Sequence, residues 1–278
     1  MSILRAVPLS KLATGWKSLS QRCANADCNI TALQRSVSLK GNGVHVGDQW
    51  FCGPVCFQIE AEQRFTRILE SSKRPIARRT PRMPLELVMV SRGMITEEQL
   101  KAAYASKQSD DGIVRALQNL GYVTADQVLS ATAAQWGFPV FPLKSAGPAV
   151  DINLPSYLIE KYRFLPVHLS PNTGKLLLGF VTGIDHGLVH AIETITGHAV
   201  APCFIGVGEY ERYRPYFAGN QSQVVFESPA TPKEMASILR NYGQQIEAGE
   251  ASFAHCRDFA WVRLKHNNEP FDVIFQLA

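Results

Sequence analysis

Residues 91–108, SRGMITEEQLKAAYASKQ, and residues 119–136, NLGYVTADQVLSATAAQW, state one short pattern twice at an interval of 28 residues. Gly93 pairs with Gly121, Thr96 with Thr124, Gln99 with Gln127, Ala103 with Ala131 and Ala105 with Ala133. The apolar positions keep step, Ile95 with Val123 and Leu100 with Val128. In each copy Thr precedes Gln by three residues, the spacing of a capping box: the hydroxyl accepts from an orphan amide at a helix start and the Gln side chain reaches back. Before each cap an apolar stretch, PLELVMVSRG or GIVRALQNLG, ends at a Gly, the residue that most readily takes the left-handed conformation that stops a helix. Each copy therefore predicts helix, Gly stop, capped helix, and the pair predicts a small four-helix unit.

The rest of the chain surrounds this repeat with different material. Cys23-x4-Cys28 and Cys52-x3-Cys56 stand near the start, 23 residues apart. Two close pairs can present four thiolates at about 2.3 Å from a tetrahedral zinc. GNGVHVGDQWF, between them, has the glycines to bend around a metal, and CFQIEAEQRFTRILE, after them, carries apolar residues at helical spacing. The outline is a knuckle, a strand or hairpin, and a helix carrying the last pair, as in treble-clef and zinc-ribbon modules. His45 is an alternative ligand, and free thiols or a disulfide are the competing readings of the same residues. A segment with so little apolar content gains its stability from the metal.

Composition places the whole in the globular range, with 46% hydrophobic and 19% charged residues among 278. A net charge of +4 permits contact with a phosphate-bearing ligand or surface but does not argue for bulk nucleic-acid binding. No run approaches the roughly 18–20 apolar residues of a membrane span, and the start lacks the apolar core of a signal peptide. The expectation is a cytoplasmic protein without membrane insertion, in which cysteines serve metals before disulfides.

Composition also divides the chain. Residues 16–70 form the zinc-binding-like module, and 71–84, SSKRPIARRTPRMP, is a linker rich in Pro, Ser and Arg. Its basic run Lys73, Arg74, Arg78, Arg79 and Arg82 reads as a solvated linker rather than a nucleic-acid contact. Residues 85–140 hold the helical repeat. Residues 151–217 change rhythm: LPSYLIEKY is a short helix, FLPVHLSP and KLLLGFVT are strands around a turn, DHGLVHAIETITG is a helix, AVAPCFIGV a strand and GEYERYRPYF a closing helix. Residues 218–232 read as a second linker and 233–278 as a helix-strand-strand unit. The fold class is α+β: a helical repeat followed by a small α/β sandwich-like unit, flanked by the metal module and the C-terminal unit.

In this order and spacing, residues 82–217 resemble the N-terminal regulatory domain of type II secretion and type IV pilus assembly ATPases. The resemblance implies a domain of 85–217 that docks to protein components of a secretion or pilus system, and in one branch of that family the helical repeat binds cyclic di-GMP. The family's ligand-binding repeat opens with Arg-Leu-Gly nine residues before the repeat Gly. At those positions this chain has Pro84-Leu85-Glu86 and Gly112-Ile113-Val114, so only the apolar middle residue survives. Arg supplies a planar charged fork for phosphate, and a lost charged hydrogen bond costs about 1.5–3 kcal/mol. Arg82, Arg92 and Arg115 lie nearby, out of register, and with Leu85 and Ile113 they make up the candidate nucleotide site.

Nothing in the sequence supplies catalytic machinery. The P-loop pattern G-x-x-x-x-G-K-[ST] would need Gly and a hydroxyl residue where LSPNTGKLLL has Leu169 and Leu176. Cys203 sits in an apolar strand, His255 and Cys256 point to opposite faces of theirs, and His186 and His190 lack the remaining residues of a metalloprotease helix. The reading is a non-enzymatic regulatory or adaptor protein that acts by docking. Its alternatives are a cyclic di-GMP receptor with a rewired motif and a zinc-dependent nucleic-acid binder.

Overall fold

A computed structural model describes residues 22–29, 43–72, 81–106, 112–143, 147–149, 151–218 and 223–277. Two units emerge, one of residues 75–222 and one made from both ends of the chain, 1–74 together with 223–278.

The central unit opens with the repeat. Helices α2 (Leu85–Ser91) and α3 (Glu97–Ser106) form the first copy, α4 (Ile113–Asn119) and α5 (Ala125–Trp136) the second. Both capping boxes are present: Gln99 N donates to Thr96 Oγ1 and Gln127 N to Thr124 Oγ1, each at 3.2 Å. The return bonds, Thr96 N to Gln99 Oε1 and Thr124 N to Gln127 Oε1, are 2.9 and 2.8 Å. Gly93 and Gly121 take φ of 67° and 72°. Met94 N and Tyr122 N then bond back to Met89 O and Leu117 O at 2.9 Å each, closing the same helix terminus twice.

The core of this part consists of equivalent pairs. Val88 and Ala116, Met89 and Leu117, Ile95 and Val123, Ala103 and Ala131 make up its eight buried residues. Helix α2 packs on α5, α4 packs on α3, and α2 meets α4, the arrangement expected when two identical helix pairs are related by an approximate twofold axis.

After the repeat the chain enters a three-stranded sheet of order β3-β4-β5, with β3 at Phe164–Leu169, β4 at Leu176–Phe180 and β5 at Val200–Phe204. Strands β3 and β4 are antiparallel and β5 runs parallel to β4. Helix α6 (Ser156–Tyr162) precedes the sheet and α7 (His186–Thr196) crosses between β4 and β5. Asp185 Oδ1 caps α7 by accepting from Gly187 N at 2.8 Å and Leu188 N at 3.1 Å. Gly197 ends that helix at φ 74°. Helices α8 (Val207–Tyr213) and α9 (Pro215–Ala218) close the unit. The turn that holds Gly174 and Lys175 joins β3 to β4, with Ser170 N bonded to Lys175 O at 2.9 Å, so it does not open a helix as a P-loop does.

The outer unit departs from the sequence expectation. Strands β1 (Val44–Val46), β2 (Gln49–Phe51), β6 (Gln223–Glu227), β7 (Glu250–Cys256), β8 (Phe259–His266) and β9 (Glu269–Gln276) form one sheet in the order β2-β1-β7-β8-β9-β6. Strand β1 pairs in parallel with β7 through His45–Glu250 and Val46–Ala251. The described residues of 16–70 and those of 233–278 are thus parts of one fold rather than separate modules. Two further differences follow. The connector 218–232 contains β6, parallel to β9, and the C-terminal tail carries three strands after its helix α10 (Pro232–Gln245). In the 71–84 linker, α1 (Pro54–Ser72) runs through Ser72, and Met83 O accepts from Gln135 Nε2 at 2.7 Å. Lys73, Arg74, Arg78 and Arg79 lie outside the described residues.

One sheet face is covered by α1 and α10. Phe57, Ala61 and Phe65 of α1 and Met235, Ala236 and Leu239 of α10 share a buried core with Val262, Leu264, Val273 and Phe275. Phe65 meets Phe253 and Phe275 edge-on, ring centres 5.5 and 5.0 Å apart. Each such buried Phe contributes about 1.5–3 kcal/mol. From the other face of the same strands, Arg263 donates to Asp272 through Nε and Nη2, both at 2.8 Å, and Trp261 Nε1 donates to the same carboxylate at 2.8 Å.

Candidate metal centre

The four N-terminal cysteines converge. Cys23 and Cys28 lie in a short loop, Cys52 directly follows β2 and Cys56 sits in the first turn of α1. Their sulfurs all lie within 4.8 Å of one another. A tetrahedral ion with bonds of about 2.3 Å places its sulfurs about 3.8 Å apart. Here Cys52 Sγ is 3.4 Å from Cys28 Sγ and 3.8 Å from Cys56 Sγ. The four cysteines could hold a metal ion, and they are the one such group among the described residues. His45 is not part of it.

Each ligand position has a local cause. Gly47, at φ 61°, turns the β1–β2 hairpin, which returns the chain to Cys52. At Gly43 a side chain would collide with the Phe51 carbonyl and would come within 2.6 Å of the Trp50 indole, so only Gly fits. Phe57 N bonds to Gly53 O at 3.0 Å, starting α1 with Cys56 facing the group. The loop is tied to the hairpin by Ala24 N to Trp50 O at 2.8 Å and is folded on itself by Cys28 N to Asn25 O at 3.1 Å. The result is a knuckle, a hairpin and a helix in that order, as the spacing predicts.

Beyond the contacts among the thiols, two of the sulfurs accept from N–H groups. Cys52 N donates to Cys23 Sγ and Asn25 Nδ2 to Cys56 Sγ, each at 3.4 Å. Burial, then hydrogen bonds from the neighbouring thiols, pushes the Cys52 thiol far above its ordinary range. Burial raises Cys56 too, while the Asn25 donor pulls it down. A dication reverses this ordering, because a coordinating thiol is deprotonated by its metal. Asn25 has no counterpart among the sequence candidates; the signal that could have found it is Asn-x-Asp inside the C-x4-C gap, the pattern of an Asx turn.

The other candidates lie before α2, at its two ends, on α4 and in β5. Arg82 sits over Trp136, its guanidinium carbon 3.4 Å from the ring centre. Leu85 and Ile113 open α2 and α4 and pack against the helical core. Arg92 caps the C-terminal end of α2, and Arg115 is exposed on α4. Cys203 donates to Leu178 O at 3.4 Å, and burial pushes its thiol up to about 12, the state of an inert core cysteine. A separate groove of about 800 Å³ runs between α5 and α8. Inside it, Glu209 accepts from Leu143 N at 2.8 Å and from Gly206 N at 3.0 Å, and Thr132 Oγ1 donates to Val128 O at 2.8 Å.

No protein-family profile and no curated protein sequence matches this chain. Among solved structures it is similar to MshE with cdg, at 23% identity and a TM-score of 0.39 over 48% of this chain and 99% of that one. It is also similar to the N-terminal domain of XpsE in two crystal forms. One shows 17% identity and a TM-score of 0.37, the other 16% and 0.30, each over 51% of this chain and 99% of the other. No helix among the described residues is long and apolar enough to cross a membrane.

Proposed function

We propose that this chain is a non-catalytic regulatory or adaptor protein of the cytoplasm. Residues 85–217 dock onto a protein component of a secretion or pilus assembly system, and Cys23, Cys28, Cys52 and Cys56 hold a structural zinc. The zinc reading is supported by sulfur spacing close to that of a tetrahedral site and by two N–H donors aimed at the sulfurs. Metal analysis of the purified chain tests it: one zinc per chain, lost on Cys52→Ser, is expected. Metal-free folded protein would overturn it.

The observation that carries the docking reading is that the twofold likeness holds throughout the helical core but breaks at exposed positions where the candidate arginines stand. Position for position, the buried residues match. Outside, exposed Leu87 stands where the second copy has Arg115, and Arg92 where it has exposed Leu120. A ligand with twofold symmetry needs like groups from both halves, and at these positions the two halves offer unlike ones. An asymmetric partner such as another protein carries no such requirement.

The neighbour MshE was solved with cdg, which keeps cyclic di-GMP as the second reading. In it Arg82, Arg92 and Arg115 would replace the missing Arg-Leu-Gly arginines around Leu85 and Ile113. Calorimetric titration of the zinc-loaded chain with cyclic di-GMP, with GTP as control, decides between them. No heat up to about 1 mM, an affinity weaker than about 4 kcal/mol, is expected. Low-micromolar binding, weakened by Arg82→Ala and Arg115→Ala, would replace the docking reading.

A further inference from the structure

Three polar groups of Asn25 are engaged at once. Its backbone carbonyl accepts from Cys28 N at 3.1 Å, its Oδ1 accepts from Asp27 N at 3.1 Å, and its Nδ2 donates to Cys56 Sγ at 3.4 Å. The first two bonds close a turn inside the Cys23–Cys28 gap. The third leaves that turn and reaches the other cysteine pair. The orientation of the amide is fixed by its neighbours: the Asp27 N–H requires the oxygen on its side, so the NH₂ faces the sulfur. Asn25 is half-buried while Ala24, Ala26 and Asp27 around it are exposed, as expected of a side chain turned into the cluster.

We propose that Asn25 is a positioning residue of the metal centre, locking the first cysteine pair onto the second and donating its amide N–H to the Cys56 thiolate. This rests on the metal reading above. Four thiolates around one dication carry a net charge of −2, and each N–H aimed at a sulfur disperses part of it. Cys23 receives such a donor from the backbone of Cys52, which no substitution removes. Cys56 receives its donor from a side chain, so the contribution can be deleted. Partners beyond the ligand shell typically account for about 10- to 100-fold in metal affinity.

The turn also accounts for the width of the first gap. A C-x2-C knuckle closes on backbone amides alone. Here the extra residues allow the Asx turn, and the turn presents the amide to the fourth sulfur. Sequence spacing that looks loose for zinc is the spacing this arrangement requires.

The test separates the turn from the donor. Ser at position 25 can close the same kind of turn through its hydroxyl oxygen, adds no charge and is too short to reach Cys56. Ala loses both turn and donor. The full chain, stripped of metal, is titrated with cobalt(II) and then with zinc against a competing chelator. Asn25→Ser is expected to bind about 10-fold more weakly than the parent, with its thiolate-to-cobalt charge-transfer band at longer wavelength, because a sulfur that loses a hydrogen bond gives up its electrons more easily. Far-ultraviolet circular dichroism of the variant should stay at the parent value. A serine variant equal to the parent in affinity and spectrum, beside a weakened Asn25→Ala, would reduce Asn25 to a turn former and overturn the proposal. A parent chain that takes up neither cobalt nor zinc would overturn the metal reading itself and this inference with it.

Discussion

At the scale of single residues, the outer unit concentrates its cost at Asp272. The carboxylate is fully buried and accepts from Trp261 and twice from Arg263. Buried ion pairs return little net stability for the desolvation they require, yet removing one member is expensive because the other stays behind. Asp272→Ala is therefore expected to destabilise the unit by about 3–5 kcal/mol, measured by urea unfolding. A loss below about 1 kcal/mol would show that water or another group takes over the guanidinium. Trp261→Phe removes one donor from an acceptor that keeps two others, and its cost should stay near 1 kcal/mol, the net value of one hydrogen bond. None of this was legible in the sequence. Arg263 and Asp272 are nine residues apart, and only the β8–β9 register sets them opposite each other.

Elements were where the sequence spoke most clearly. The two caps, the two left-handed glycines and the 28-residue period all stand in the structure, since each depends on neighbours within a few positions. Thr124→Ala should cost about 1 kcal/mol through the lost cap, and Thr124→Ser should recover most of it, read as a shift in denaturant midpoint. Thr96→Ala should cost the same amount if the copies are energetically equivalent. Gly93→Ala and Gly121→Ala test the other end of each helix, where a Cβ would meet nothing within 4 Å. Any loss there is backbone strain alone, and about 1 kcal/mol is expected. Losses that differ widely between the copies would mean that the repeat is symmetric in shape but not in energy. The strands β3, β4 and β5 were equally readable, each an apolar run closed by turn residues. Strand β6 was not: Gln223–Glu227 is a short run inside a Gly-, Asn-, Ser- and Pro-rich stretch that reads as a connector, and its pairing partner β9 lies more than forty residues further on.

Across the whole molecule, the division into consecutive modules missed the pairing of the two chain ends. No local pattern encodes a contact such as Val46 with Ala251, about two hundred residues apart in sequence; it exists because β1 and α1 need a sheet to bury Phe57 and Phe65, and β7 to β9 need a helix to cover Phe253 and Phe275. That dependence has a consequence for the metal. The cysteines bracket the joint between β2 and α1, so the ion would hold α1 at the angle that seats Phe65 between those two rings. Stripping the metal should lower the unfolding temperature of the outer unit, by several degrees for each kcal/mol lost. The fragment 75–222, whose cores are built from its own residues, should fold alone and melt at the same temperature with or without chelator. The complementary fragment 1–74 should fail to fold even when zinc is supplied, because its helix would expose Phe57, Ala61 and Phe65 to water, and adding the 223–278 fragment should restore its secondary structure. Folding of 1–74 with zinc alone would show that the metal, not the shared sheet, organises the N-terminal segment. The two chain ends would then be partners by packing rather than by necessity.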